Sequence, residues 1–105
     1  MSDLGYAFRV TVEWNGNRAL LSCVGELDLG TANELTTAVH SVLPDRPESV
    51  LIAFGDDTFV DSSGLRALLE ALQDCRDASI DVAVRPSASL QRLLDLVQVD
   101  LPLER

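Results

Sequence analysis

Residues 49–84 read SVLIAFGDDTFVDSSGLRALLEALQDCRDASIDVAV, and this stretch decides the fold class. Ser49 to Phe54 is a short apolar run bounded by Pro47 and Gly55, the pattern of a strand covered on both faces at the centre of a sheet. Beyond Asp61-Ser62-Ser63-Gly64, residues Leu65, Leu68, Leu69, Leu72 and Cys75 recur at helical spacing, opposite Arg66, Glu70, Gln73 and Asp77. That spacing predicts an amphipathic helix with one buried stripe. Ile80, Val82 and Val84 then alternate as the next strand. A strand, a helix and a strand in this order form a parallel pair joined by a right-handed crossover.

Towards the N-terminus, Tyr6, Phe8, Val10, Val12 and Trp14 alternate with Ala7, Arg9, Thr11 and Glu13, which predicts a half-buried strand from Tyr6 to Trp14. Asn15-Gly16 reads as a tight hairpin turn, and Arg18 to Val24 as a second, more apolar strand. Thr31-Ala32-Asn33-Glu34 has the form of a capping box, with Leu35, Ala38, Val39 and Val42 on one stripe of a helix that Pro44 stops. Towards the C-terminus, Ser87 is placed to cap a third helix burying Leu90, Leu93, Leu94 and Val97, while Leu101 and Leu103, split by Pro102, form at best a short edge strand. The predicted order is β-β-α-β-α-β-α: an α/β fold in which a hairpin leads into alternating units, giving a small mixed sheet with helices packed on it. No repeat, low-complexity tract or linker interrupts residues 1–105, so a single domain is expected.

The chain has 105 residues and a formal net charge of −9, and its eight basic residues are all arginines scattered from Arg9 to Arg105. Such a surface repels phosphate backbones and anionic lipid heads, which argues against nucleic acid and membrane as partners. No apolar run approaches the ~20 residues of a membrane span, and the first residues lack the pattern of a signal peptide, so a cytoplasmic location is expected. Cys23 and Cys75 each sit in an apolar pattern and are expected to be buried and reduced.

Chemistry is expected where strands end and helices begin, in Gly25–Leu29 and Asp56–Gly64. Ser62 and Ser63 open a helix whose dipole favours negative charge, and Gly64 is expected to leave room for a partner's backbone or a nucleotide. With Asp28, Asp56, Asp57 and Asp61 near, a phosphoryl group would add roughly −1.5 to −2 charges to an acidic patch, which suits switching an interface off. Read alone, Asp61-Ser62-Ser63-Gly64 is equally an ordinary helix cap, Asp56-Asp57 a solvated turn, and Asp28 the end of a strand. A serine hydrolase would need a base for Ser62 and a Gly-x-Ser-x-Gly elbow; Val60 and the lone His40 supply neither. No catalytic residue and no metal site are expected: His40, Cys23 and Cys75 lack ligand spacing, and neither a Gly-x-Gly-x-x-Gly nor a Walker motif is present.

Gly25-Glu26-Leu27-Asp28 after a hairpin, Val60-Asp61-Ser62-Ser63-Gly64-Leu65 opening a helix, and Arg85-Pro86-Ser87-Ala88-Ser89-Leu90-Gln91-Arg92-Leu93-Leu94 resemble, in order and separation, the anti-sigma factor antagonists of the STAS domain family. The resemblance covers nearly the whole chain. It implies a non-enzymatic partner-switching protein that needs no cofactor of its own. Ser62, with Ser63 as second candidate, would accept phosphate from ATP supplied by an anti-sigma factor that is also a serine kinase. The unphosphorylated protein would bind that kinase, the phosphorylated one would let go, and a phosphoserine phosphatase would reset it. Asp28 matches the family aspartate beside the phosphorylated serine, and Asp61 the motif's acidic position.

The expected contact surface comprises Asp28, Leu29 and Thr31 on one side and Thr58, Phe59, Asp61, Ser63, Gly64 and Arg66, around Ser62, on the other. Arg66 could equally pair with Glu70, and Leu29 and Phe59 could equally belong to the core. Several positions depart from the family pattern. Ala53-Phe54-Gly55-Asp56-Asp57 makes the central loop more acidic, Gln98 stands where a glycine usually follows the last helix, and Asp77-Ala78-Ser79 replaces a glycine pair. The rival reading is a STAS adaptor subunit of a transport, lipid-trafficking or signalling scaffold complex, which does not switch sigma factors.

Overall fold

The alternation of the N-terminal residues folds into an antiparallel hairpin, β1 (Arg9–Asn15) and β2 (Arg18–Val24). The computed structural model describes residues 8–104, so Tyr6 and Ala7 of the predicted strand lie outside it. Asn15 pairs with Arg18, which makes Gly16-Asn17 the two-residue loop, one residue later than the sequence suggests; the positive φ of 63° falls on Gly16. There follow β3 (Glu26–Leu27), α1 (Ala32–Val42), β4 (Ser49–Phe54), β5 (Phe59–Val60), α2 (Ser62–Asp77), β6 (Asp81–Arg85) and α3 (Ala88–Val97). The main sheet has the order β1-β2-β4-β6, antiparallel at β1 and parallel elsewhere. Strands β3 and β5 pair separately, in parallel.

Register explains the core. Ala19, Val50 and Val82 lie side by side, as do Leu21, Ile52 and Val84, and Cys23 lies beside Phe54. This face meets Leu35, Val39 and Val42 of α1, Leu65, Leu68, Ala71, Leu72 and Cys75 of α2, and Leu90 and Leu94 of α3 in one cluster. Every residue that the main sheet gives to this cluster comes from the same face. The expectation that β4 is covered on both faces therefore fails: Leu51, on its other face, is only half-buried and shares with Leu20 and Ala83 a shallow cavity of about 390 Å³. A six-residue apolar run reads alike whether its second face meets a helix or the side chains of adjacent strands.

Two helix positions also differ from their predicted side. Leu69 is 37% exposed because the buried stripe of α2 runs through Leu68, Ala71, Leu72 and Cys75, and Val97, in the last turn of α3, is 45% exposed. The C-terminus follows prediction: Val84 N–H donates to Pro102 O and Glu104 N–H to Val84 O, both at 2.8 Å, and Leu103 bridges to Val84. Arg85 donates to both carboxylate oxygens of Glu104, at 2.6 and 3.1 Å, which holds that carboxyl below its usual range and fastens this segment to β6.

The helix ends show the cost of the missing glycines. At the end of α2, Ser79 N–H donates to Arg76 O and Ile80 N–H to Cys75 O, both at 2.9 Å, with Ser79 in the left-handed region at φ 61°. This is the double hydrogen-bond pattern that glycine usually completes, and Gln98 takes the same conformation (φ 56°) after α3, where its N–H donates to Leu94 O. A side chain there costs about 1 kcal/mol, part of which glycine returns through its freer unfolded chain. Ser79→Gly is accordingly expected to stabilise the protein by about 0.5–1 kcal/mol and raise Tm by ~3–6 °C in a calorimetric scan.

Burial pushes the Cys23 thiol up to about 12 and the Cys75 thiol up to about 11, and both are free. At pH 8 both are then protonated and enclosed, so a thiol reagent is expected to label neither in the native protein and both in denaturant. Native labelling at the rate of a free thiol would contradict that burial.

Candidate functional site

Strand β2 continues into β3 through Gly25, whose φ of 107° turns the chain out of the main sheet. On the neighbouring strand, Gly55 N–H still donates to Cys23 O at 3.0 Å, and then Asp56-Asp57 form an exposed turn. Pairing resumes with Glu26 beside Phe59 and Leu27 beside Val60. Thr58, 2% exposed, fills the gap between the two sheets by donating its hydroxyl to Cys23 O at 2.8 Å. The short ribbon is thus a displaced extension of β2 and β4. The other side of β5 is held from α3, where Ser89 Oγ accepts from Val60 N–H at 3.1 Å. Sequence reasoning assigned Ser89 no role; its only signal was its position two residues after the Ser87 cap.

Asp28 follows the paired end of β3 and Asp61 the paired end of β5, so two carboxylates finish adjacent parallel strands. Asp61 N–H donates to Leu27 O at 3.3 Å, and its carboxylate accepts from Gly64 N–H at 2.9 Å, capping α2 as the sequence suggests. Asp28 is tied into its own loop. Its carboxylate accepts from Thr31 N–H at 3.1 Å, its N–H donates to Thr31 Oγ1 at 3.0 Å, and Thr31 Oγ1 donates to Glu26 O at 2.6 Å. The predicted capping box therefore does not form: Thr31 Oγ1 accepts from Asp28 N–H, outside the helix, and caps nothing on α1. The result is a closed knot of hydrogen bonds that fixes the Asp28 side chain at the strand end.

Gly64 is where the two segments meet. A Cβ at this position would lie 2.2 Å from Leu27 O, so the space that the sequence reading reserved for a partner is occupied by the chain's own β3. Thr58 and Gly64 are both buried and leave the predicted contact surface, for this reason and for the hydroxyl bond to Cys23. The remaining predicted residues are accessible, on segments that the pairing of β3 with β5 sets side by side. Leu29 is 81% and Phe59 54% exposed, Ser62 and Arg66 are exposed, and Asp28, Thr31, Asp61 and Ser63 are partly so. Leu29 and Phe59 are therefore not core, and among the described residues Arg66 makes no ion pair with Glu70.

The Ser62 hydroxyl stands on the first residue of α2, ahead of the capped turn, where the unpaired helix N–H groups and the dipole favour an anion. The chain's single histidine, His40, does not adjoin it. His40 bonds Asp74 at 2.7 Å, and Asp74 lies twelve residues further along α2, about 18 Å at the helical rise. Among the described residues no three His, Cys, Asp or Glu side chains gather in a metal-binding group. The arrangement presents an exposed Ser62 at the start of α2, next to the strand ends that Asp28 and Asp61 follow.

The family model described as the STAS domain matches residues 9–102. Among solved structures, an anti-sigma factor antagonist from Mycobacterium paratuberculosis is similar, with TM-score 0.76, 24% identity, and coverage of 97% of this chain and 89% of that one. The anti-sigma factor antagonist SpoIIAA in its unphosphorylated form is similar at TM-score 0.60 and 14% identity, over 83% of this chain and 82% of that one. A protein designated Mglu matches over 76% of this chain but 20% of its own length, at TM-score 0.64 and 20% identity. At these identities the likenesses establish a shared fold. No curated protein sequence matches the chain.

The Gly64 contact makes a stability prediction. Gly64→Ala drives a methyl group into the Leu27 carbonyl, and urea unfolding is expected to show a loss of about 2–3 kcal/mol. A loss under ~0.5 kcal/mol would mean that the start of α2 is free to lift away from β3.

Proposed function

The chain belongs to the STAS domain family, and on that footing we propose that it is an anti-sigma factor antagonist acting by partner switching. In its unphosphorylated form it binds an anti-sigma factor that is also a serine kinase, so that the sigma factor is released. The kinase supplies ATP and transfers its γ-phosphoryl group to Ser62 Oγ: the Oγ–P bond forms, the β,γ P–O bond of ATP breaks, and ADP and the hydroxyl proton leave. The modified protein dissociates until a phosphoserine phosphatase restores the hydroxyl. On this reading the protein catalyses nothing itself and acts in the cytoplasm.

What supports the reading is that Ser62, Leu29 and Phe59 are all exposed, on the segments around the paired strands β3 and β5, whose ends are followed by Asp28 and Asp61. Leu29 and Phe59 give a partner apolar area to cover, with Thr31, Ser63 and Arg66 around them. Asp28, held rigid by Thr31, offers a fixed acceptor to a basic group of the partner. The same carboxylate explains release. Phosphoserine brings roughly −1.5 to −2 charges to a place already negative, and burying those charges against an apolar contact is unfavourable. The helix dipole offsets only part of this, about 0.3–1 kcal/mol at an exposed N-terminus.

The test is an affinity capture from native cytosol with ATP, using wild type, Ser62→Ala and Ser62→Asp as baits and mass spectrometry for partners and phosphosites. Ser62→Ala is expected to retain a serine kinase that Ser62→Asp binds at least tenfold more weakly, about 1.4 kcal/mol, with phosphate on Ser62 of the wild type. Equal retention of one transport or scaffold complex by all three baits would overturn the reading in favour of an adaptor.

A further inference from the structure

The two edges of the main sheet are treated differently. Beyond β6 the chain covers its own edge with residues 102–104, including Pro102, which has no N–H to offer a newcomer. Beyond β1 nothing among the described residues pairs, and β1 carries neither proline nor bulge: its seven residues are RVTVEWN, its register with β2 runs unbroken from Arg9↔Val24 to Asn15↔Arg18, and its two charges, Arg9 and Glu13, are of opposite sign. Val10 and Val12 are half-buried and Trp14 is 43% exposed along this edge. A straight, unprotected edge strand is a template for another strand.

The sequence of β1 says which strand. Because Asn15 and Arg18 close a two-residue loop as a hydrogen-bonded pair, the backbone groups of Arg9, Thr11, Glu13 and Asn15 face β2. Those of Val10, Val12 and Trp14 then face outward. If a second β1 runs antiparallel with the two-fold axis at Thr11, Val10 of each copy exchanges both backbone hydrogen bonds with Val12 of the other. The same register sets Arg9 opposite Glu13, Glu13 opposite Arg9, and Thr11 opposite Thr11 on the open face. It also stacks valine against valine on the face that carries the helices. Opposite charges, paired threonines and paired β-branched residues are the cross-strand combinations that stabilise antiparallel sheets. Moving the axis to Val10 or Val12 keeps outward groups paired but sets Arg9 opposite Thr11 or Asn15, which loses both charge pairs.

We propose that the β1 edge is a self-association surface on which a second copy of this chain pairs, β1 to β1 in the Arg9–Glu13 register, to give one continuous eight-stranded sheet. The interface is isologous, so it closes at two copies and leaves no edge for a third. It involves neither Ser62 nor the rim around it, and the proposal is independent of partner switching. The affinity is modest, since one strand pair buries little surface and each copy carries a net charge of −9.

Sedimentation velocity from about 10 µM to about 1 mM tests it, spanning the range of weak dimers. Wild type is expected to shift from monomer to dimer. Arg9→Glu and Glu13→Arg, each of which sets like charges opposite one another, are expected to weaken the dimer at least tenfold. The double variant Arg9→Glu/Glu13→Arg restores the pairing and is expected to dimerise like wild type; circular dichroism of all three variants checks that the fold is intact. A chain that stays monomeric at every concentration overturns the proposal, whatever else then occupies the edge. A dimer indifferent to the single reversals, or one that the double variant fails to rescue, overturns it as well.

Discussion

The candidate site depends on one close approach, the backbone of Gly64 against the carbonyl of Leu27. Helix α2 starts in direct contact with β3 because position 64 has no side chain, and a Cβ there would sit 2.2 Å from the carbonyl oxygen, far closer than van der Waals contact allows. With the helix seated so low, Asp61 pairs with Leu27 through its N–H while its carboxylate caps the helix, and Ser62 is carried to the rim. Thr58 and Ser89 hold β5 from either side, from Cys23 O and from α3. The glycine in Asp-Ser-Ser-Gly is therefore a packing residue, and its effect on recognition is indirect: it sets the height at which the serines stand.

Around this contact the polar groups divide between holding the loop and facing solvent. Thr31, Asp28 and Glu26 O satisfy one another, and so do Asp61 and Gly64. Ordered loops of this kind lose little conformational freedom when a partner docks, so contacts made to Leu29 and Phe59 are realised more fully as affinity. On the proposed reading the carboxylates also limit that affinity, since negative charge added at Ser62 joins an already acidic region.

The sheet shows a second division of labour. Its helix-facing side carries the core, and its other side is left to Leu20, Leu51, Ala53 and Ala83, with no helix of the described residues in the core cluster on that side. With helices on one face only, the edges matter more. The C-terminal edge is closed by the chain itself through Pro102, Leu103 and Glu104, while the β1 edge keeps its outward backbone groups.

Much of this was legible in the residues. The alternation in β1, the stripe of α2, the Ser87 and Asp61 caps and the position of β4 at the centre of the sheet are local patterns, and local patterns survive folding because they arise from backbone periods of two and 3.6 residues. The Asp-Ser-Ser-Gly segment was also readable as a helix start. Tertiary structure decided what depended on distant neighbours. The capping box at Thr31 failed because the backbone N–H of Asp28 competed for its hydroxyl oxygen. Thr58 was buried because a gap between two sheets needed a donor, Phe59 was exposed because it alternates with buried Val60 on β5, and Leu29 because it stands in the loop beyond β3. The sequence by itself determined the elements and their order, since each element answers to its own residues. Whether Gly64 faces a partner or Leu27 was decided only by the pairing of β3 with β5, because that contact joins residues far apart in the chain and has no period to betray it.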